Sequence, residues 1–260
     1  MSTPEDSKVV VITGGSRNIG LAVGHALVSR GIRVAILGRG KEALQEAAAS
    51  LGGETLPVSV DLTDHEALSE AFDQIAKHFG RIDGLVNNAG VAHLGLVEAL
   101  DPKEVIEQVN LNFLATVFAS KATIPYLRKQ GGGRIVNISS AASKFEVFSH
   151  LSIYAATKAA VDRFTDELRR EVHRDNIGVT CFIPGDTQTS FGFGWNPKLI
   201  KEAYDVWLDR GKYFQRAMEV EVVGEAVARC FDLPPGAAYD LVILRPYGEF
   251  EKEMLPEDLG

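Results

Sequence analysis

Val9-Val10-Val11-Ile12-Thr13-Gly14-Gly15-Ser16-Arg17-Asn18-Ile19-Gly20 is the stretch that decides the fold. Val9 to Ile12 is an unbroken β-branched run, as expected of a strand covered on both faces. Glycines follow. Ile19 to Arg30 then carries apolar residues at helical spacing, with Gly31 placed as a C-cap, and Arg33 to Leu37 returns as a strand. This is one βαβ unit, and its glycine loop lies where the chain passes from strand to helix.

The alternation continues outward from that unit. The pattern predicts a helix over Lys41 to Leu51, a strand over Leu56 to Val60, and a helix opening at Thr63, with Glu66 completing a capping box. Gly84 to Asn88 reads as a strand. A long helix from Asp101 to Arg128 starts with Asp101 as N-cap, Pro102 first and Glu104 third. Arg134 to Ser139 is a strand, Ser152 to Arg174 a long amphipathic helix, and Ile177 to Ile183 another strand. Alternation of this kind implies an α/β fold: a doubly wound parallel sheet of Rossmann type with helices on both faces, in a single domain over 1–260. From Gly185 to about Val220 the pattern breaks. Phe191, Phe193, Trp195, Trp207, Tyr213 and Phe214 mix with polar residues there, as a helical substrate lid (about 186–220) or as a hairpin packed on the body. Glu221 to Phe231 is again helical, and Leu241 to Leu244 is a last strand.

The bulk properties narrow the partners. A chain of 260 residues, 45% hydrophobic, buries a sizeable core, and a net charge of -8 argues against nucleic acid and anionic membrane and for a small molecule. Cys181 and Cys230 sit in apolar runs and read as buried thiols. His25, His65, His78, His93, His150 and His173 have no metal-ligand spacing, so no metal site is expected. The start, MSTPEDSK, lacks a basic stretch followed by an apolar one, and no apolar run reaches the roughly 20 residues of a bilayer span. A cytoplasmic protein is the expectation.

The glycine loop suits a dinucleotide. Glycines let backbone approach a pyrophosphate, and the helix start offers free N–H groups and a positive dipole end, so Gly14, Ser16, Arg17, Asn18, Ile19 and Gly20 are candidate cofactor contacts. The second strand ends in Gly38, where an acidic residue would hold the ribose of NAD. Arg39 follows it. With Arg17 it can clamp a 2′-phosphate through charge-assisted bonds, which favours NADP(H) over NAD(H). Asp61 and Leu62 stand where an adenine would lie, although Asp61 also suits a helix cap. Asn88, Ala89 and Gly90, after the fourth strand, can hold backbone against the cofactor.

The reacting groups are a serine at a strand end, Ser140, and a Tyr154/Lys158 pair four apart on one helix face. A phenol titrates near pH ~10, and an adjacent ammonium and a positively charged nicotinamide would each favour its ionised form. In reduction, Tyr154 donates a proton to a carbonyl oxygen as hydride arrives from the nicotinamide C4, and Ser140 steadies that oxygen.

Together these features resemble the short-chain dehydrogenase/reductase family in its single-domain form: the glycine loop, Asn87-Asn88-Ala89-Gly90, the strand-end serine and Tyr154-Ala-Ala-Thr-Lys158. The resemblance covers nearly the whole chain. It implies a catalytic set of Asn110 in Val-Asn-Leu, Ser140, Tyr154 and Lys158, with Ser139 as the alternative serine. Asn110 would hold a water linking Lys158 to solvent, and Lys158 would grip the nicotinamide ribose. Pro184-Gly185 would form the turn beside the nicotinamide, Thr187 or Thr189 would meet its carboxamide, and Phe145, Phe148, His150 and Leu151, with Phe191 of the lid, would line a substrate pocket. Two departures stand out. Asn18 replaces a usual glycine, and tolerates left-handed backbone. Leu241 to Pro246 replaces a Gly-rich ending and looks like the branch that holds serine and other hydroxy-acid dehydrogenases. The family's dimers or tetramers form through the two long central helices, where Ala155, Ala159 and Phe164 suit close packing. The expectation is an NADP(H)-dependent carbonyl reductase or alcohol dehydrogenase. An NAD(H) enzyme of the same family and a non-catalytic NADP(H) sensor are its rivals.

Overall fold

The computed structural model describes residues 7–144, 149–209 and 217–247. Strands β1 (Val9–Thr13), β2 (Arg33–Gly38), β3 (Thr55–Ser59), β4 (Gly84–Asn87), β5 (Gly133–Ile138), β6 (Ile177–Pro184) and β7 (Leu241–Leu244) form one sheet in the order β3-β2-β1-β4-β5-β6-β7. Every pair is parallel. The β-branched runs explain this: all four residues Val9 to Ile12 are 0% exposed, which is possible only when both sheet faces are covered.

The two-residue period of a strand divides the core between those faces. Val9, Val11, Ala35 and Leu37 pack with Phe72 and Ile75 of α3 (His65–Phe79), Ala119 and Leu127 of α5 (Ala115–Lys129) and Leu168 of α6 (Ser152–Val172). Val10, Ile12, Val34 and Ile36 pack with Val23 and Leu27 of α1 (Asn18–Val28), Leu44 of α2 (Lys41–Leu51) and Val223 and Val227 of α8 (Val220–Ala228). Each such side chain contributes roughly 1.5–3 kcal/mol on burial. Between β1 and β4 the strand order reverses, and that reversal opens a crevice at the carboxyl ends of the strands.

Two expectations about helix starts and ends are corrected. The cap of α3 is Asp64, whose side chain accepts from the N–H groups of Glu66 and Ala67, while Thr63 turns back to Asp61; the one-residue shift lets a carboxylate rather than a hydroxyl fill the cap. The long helix from Asp101 is interrupted. Its Asp101/Glu104 capping box is present, but α4 (Pro102–Gln108) widens into a π-helical turn, Val109–Leu114, before α5 begins. The aromatic-rich excursion contains α7 (Pro197–Asp209). Tyr213 and Phe214 of the expected lid lie outside the described residues. Among the described residues, no helix is long and apolar enough to cross a membrane.

Candidate active site

At the phosphate end, backbone does the work. Gly14 adopts a left-handed φ of 66°, and a Cβ on Gly20 would stand 2.2 Å from the Gly14 carbonyl oxygen, so the loop closes on itself only with glycine there. Asn88 Nδ2 donates to the carbonyls of Thr13 and Gly14, both at 3.1 Å, and ties β4 to the loop. Among the described residues no side chain caps the first turn of α1, as none caps α2, α6 or α8, whereas Asp64 and Asp101 cap α3 and α4. Among the described residues no side chain is seen to accept from the leading N–H groups of α1, which fits an anionic diphosphate at this helix start. Arg17 and Arg39 are exposed beside the cleft.

The remaining cofactor candidates separate. Asp61 Oδ1 accepts from the N–H and hydroxyl of Thr63 at 2.9 and 2.8 Å, and these bonds hold its carboxyl below the usual range. Leu62 is 4% exposed within the α3-side core, so its side chain serves packing and not an adenine surface. At the end of β6, buried Pro184 precedes Gly185, whose N–H donates to Leu244, and Thr187 Oγ1 donates back to Gly185. Thr189 Oγ1 accepts from the Phe191 N–H.

At the reacting end, side chains do the work. Ser140 follows β5 in extended conformation, and its hydroxyl accepts from the Ala142 N–H at 3.2 Å. Lys158, one turn along α6 from Tyr154, places Nζ 5.9 Å from the centre of the Tyr154 ring and donates to the Ile138 carbonyl at 2.9 Å. Ser139, the alternative serine, is 2% exposed and bonds the Lys158 backbone and Ser143, which makes it part of the frame. Burial pushes the Tyr154 phenol up, and the influence of the neighbouring Ser140 draws it down. Burial likewise brings the Lys158 ammonium down to about 8, against the raising influence of Asp162 and Cys181. Asp162 is 8% exposed: it accepts from Ser143 Oγ at 2.7 Å and Cys181 Sγ at 3.3 Å, and pairs with Lys144 at 3.2 Å. One carboxylate thus fastens the serine loop to the helix that carries Tyr154 and Lys158.

The asparagine expected at this centre is corrected. Asn112, not Asn110, faces it. Asn112 Oδ1 accepts from the Val91 N–H at 2.8 Å, and Nδ2 donates to the Val91 carbonyl at 2.9 Å and Thr157 Oγ1 at 3.0 Å. A Cβ on Gly90 would meet both Asn112 Oδ1, at 3.1 Å, and Lys158 Nζ, at 3.5 Å, so the two side chains border the same backbone. Asn110, two residues earlier, falls on the other side of the helix. A signal existed in the sequence: Gln108, Asn112, Thr116 and Ser120 form a polar stripe at four-residue spacing, and all four are buried. The π turn, a feature often met at functional sites, lies around Asn112.

Over Tyr154 stands an aromatic wall. Phe191 lies 5.3 Å from Tyr154 between ring centres, and Trp195 lies 5.1 Å from Phe191. Trp195 Nε1 donates to the Ala92 carbonyl and Trp207 Nε1 to that of Ser149, which pins α7 and its approach onto Ala92, Leu94 and Leu151. His150 is buried at a left-handed φ of 64°, with Nε2 3.5 Å from Glu202 of α7. Phe145 and Phe148 lie outside the described residues.

The profile of the short chain dehydrogenase family matches residues 8–198. The chain is 34% identical over 236 residues to a human 3-oxoacyl-[acyl-carrier-protein] reductase, covering 91% of this chain and 96% of that protein. An alcohol dehydrogenase from the archaeon Thermococcus sibiricus, solved with 5-hydroxy-NADP, superposes with a TM-score of 0.79 at 26% identity, covering 92% of this chain and 96% of that one. A serine dehydrogenase solved with NADP+ superposes with a TM-score of 0.80 at 26% identity, covering 91% and 94%.

Proposed function

This chain belongs to the short-chain dehydrogenase family of oxidoreductases, and we propose that it interconverts a carbonyl and an alcohol with NADP(H), using Tyr154 as proton donor and acceptor. The observation that carries the reading is the gathering of Ser140 and Lys158 about Tyr154 beyond the carboxyl end of β5, with Lys158 Nζ 5.9 Å from the centre of the Tyr154 ring. A bound nicotinamide dinucleotide supplies or accepts the hydride. The α1 start and the Gly14 to Gly20 loop would hold its diphosphate, Arg17 and Arg39 a 2′-phosphate, and Asn88 to Gly90, Pro184, Gly185 and Thr187 or Thr189 the remainder. NADP complexes of the structural relatives support that cofactor.

The protein's own groups then divide the proton work. Ser140 donates a hydrogen bond where charge develops on the substrate oxygen, and Tyr154 transfers its proton to that oxygen in reduction. Lys158, charged below a pH of about 8, lowers the cost of the phenolate left behind. Asn112 lines the route by which Lys158 reaches solvent protons. Phe191, Trp195 and Leu94 favour an uncharged or weakly polar substrate against the ring of Tyr154, with the 186–220 segment as its lid. The protein acts in the cytoplasm as a homodimer or homotetramer.

The test is oxidation of NADPH and NADH by the purified protein, read as loss of nicotinamide absorbance, over ketones, keto acids, sugars and acyl thioesters. Turnover preferring NADPH is expected on at least one member. Tight nucleotide binding with no turnover across the panel would favour a sensor, and equal use of both nucleotides would overturn the arginine clamp.

A further inference from the structure

Asn18 stands where the glycine loop passes into α1, at a left-handed φ of 49° that a glycine would adopt without strain. A side chain kept at such a position needs a reason, and its contacts supply one. Asn18 Nδ2 donates to Ser190 Oγ at 2.7 Å, and Asn18 Oδ1 accepts from the Ser190 N–H at 3.3 Å. Both amide atoms are thus spent on one residue 172 positions away. Ser190 lies in the segment that leaves β6 for α7. That segment is pinned at Gln188, whose N–H donates to Met218, and again at Trp195, which donates to Ala92. Between those anchors, Ser190 is fastened to the glycine loop, and the next residue, Phe191, packs on Tyr154.

We propose that Asn18 is a positioning residue: through Ser190 it straps the 187–191 segment to the glycine loop, joining the two lips of the nucleotide cleft and holding Phe191 over Tyr154. The proposal rests on the nucleotide reading above for its effect on cofactor release, and on geometry alone for the strap itself. A nucleotide leaving the cleft has to part these lips, so the two bonds slow its departure. Glycine at 18 removes both bonds without backbone strain. Alanine at 190 removes the hydroxyl bond and leaves the backbone one.

The test uses the intact protein with three variants, Asn18→Gly, Ser190→Ala and the two combined. NADPH release is followed by stopped-flow displacement, and amide hydrogen exchange over 187–191 is followed in nucleotide-free protein. Asn18→Gly is expected to release NADPH about tenfold faster and to speed exchange of those amides, as the loss of two net hydrogen bonds implies. Ser190→Ala should give a smaller effect. The combined variant should match Asn18→Gly, since residues that act only through each other are not additive. Unchanged release and exchange in Asn18→Gly, or effects that simply add, would overturn the strap. If the wild-type protein binds neither NADPH nor NADH, the nucleotide reading falls, and the exchange rates alone still decide the strap.

Discussion

The two ends of the cleft solve different problems with different materials. At the phosphate end the chain offers backbone N–H groups of an uncapped helix and two exposed guanidiniums, Arg17 and Arg39. At the reacting end it offers side chains, and the central ones, Lys158 and Asn112, are 4% and 0% exposed. Fixed backbone dipoles cannot be retuned by pH, and exposed charges are screened by salt, so the first end governs affinity and cofactor choice. Buried groups have protonation states set by desolvation and near neighbours, so the second end governs rate and its pH dependence.

Substitutions should therefore separate by what they change. Lys158→Ala is expected to lower kcat the most among the partners of Tyr154, by about 10³-fold, since proton transfer from a positioned group contributes roughly 10²–10⁴. Steady-state kinetics with the carbonyl identified from the panel would check it. Ser140→Ala removes a donor at the developing oxyanion and should cost about 10²-fold in kcat with nucleotide Kd unchanged. At the other end, Arg17→Ala with Arg39→Ala should weaken NADPH binding about tenfold, leave NADH binding as it was, and leave kcat at saturating NADPH nearly unaltered. Fluorescence titration with both nucleotides decides that, and an equal loss for both would erase the distinction between the ends. The smallest effect is a shift of profile. The rate of reduction should fall as pH rises through about 8, where Lys158 loses its proton. Asp162 raises that value, so Asp162→Asn should move the alkaline limb to lower pH, by less than the whole displacement caused by burial. A pH profile with an unmoved limb would remove Asp162 from the account.

The phosphate end was the more legible in sequence, for a physical reason. Strand, glycine loop and helix are contiguous, and their periods and backbone demands show in neighbouring residues from Val9 to Gly20. The Tyr154/Lys158 pair was legible for the same reason, being one helical turn. What was missed depends on context beyond a few residues. Asn110 and Asn112 both sit in Val-Asn-Leu-Asn, and only the helix face, set by the four-residue stripe and the π turn, distinguishes them. Leu62 beside Asp61 gave no sign that it points into the core, because the cluster it joins is assembled from strands and helices as far along the chain as β6. The partner of Asn18 lies across the whole sheet in sequence, so the departure from glycine was visible and its purpose was not.

The most direct test of the central claim is Tyr154→Phe, with NADPH binding and carbonyl reduction measured on the same preparation. Loss of one hydroxyl at the reacting end should leave NADPH Kd at the wild-type value and reduce turnover by about 10³-fold or more. Turnover near that of the wild-type protein would contradict the assignment of Tyr154 as the proton donor, and with it the division of labour between the two ends of the cleft.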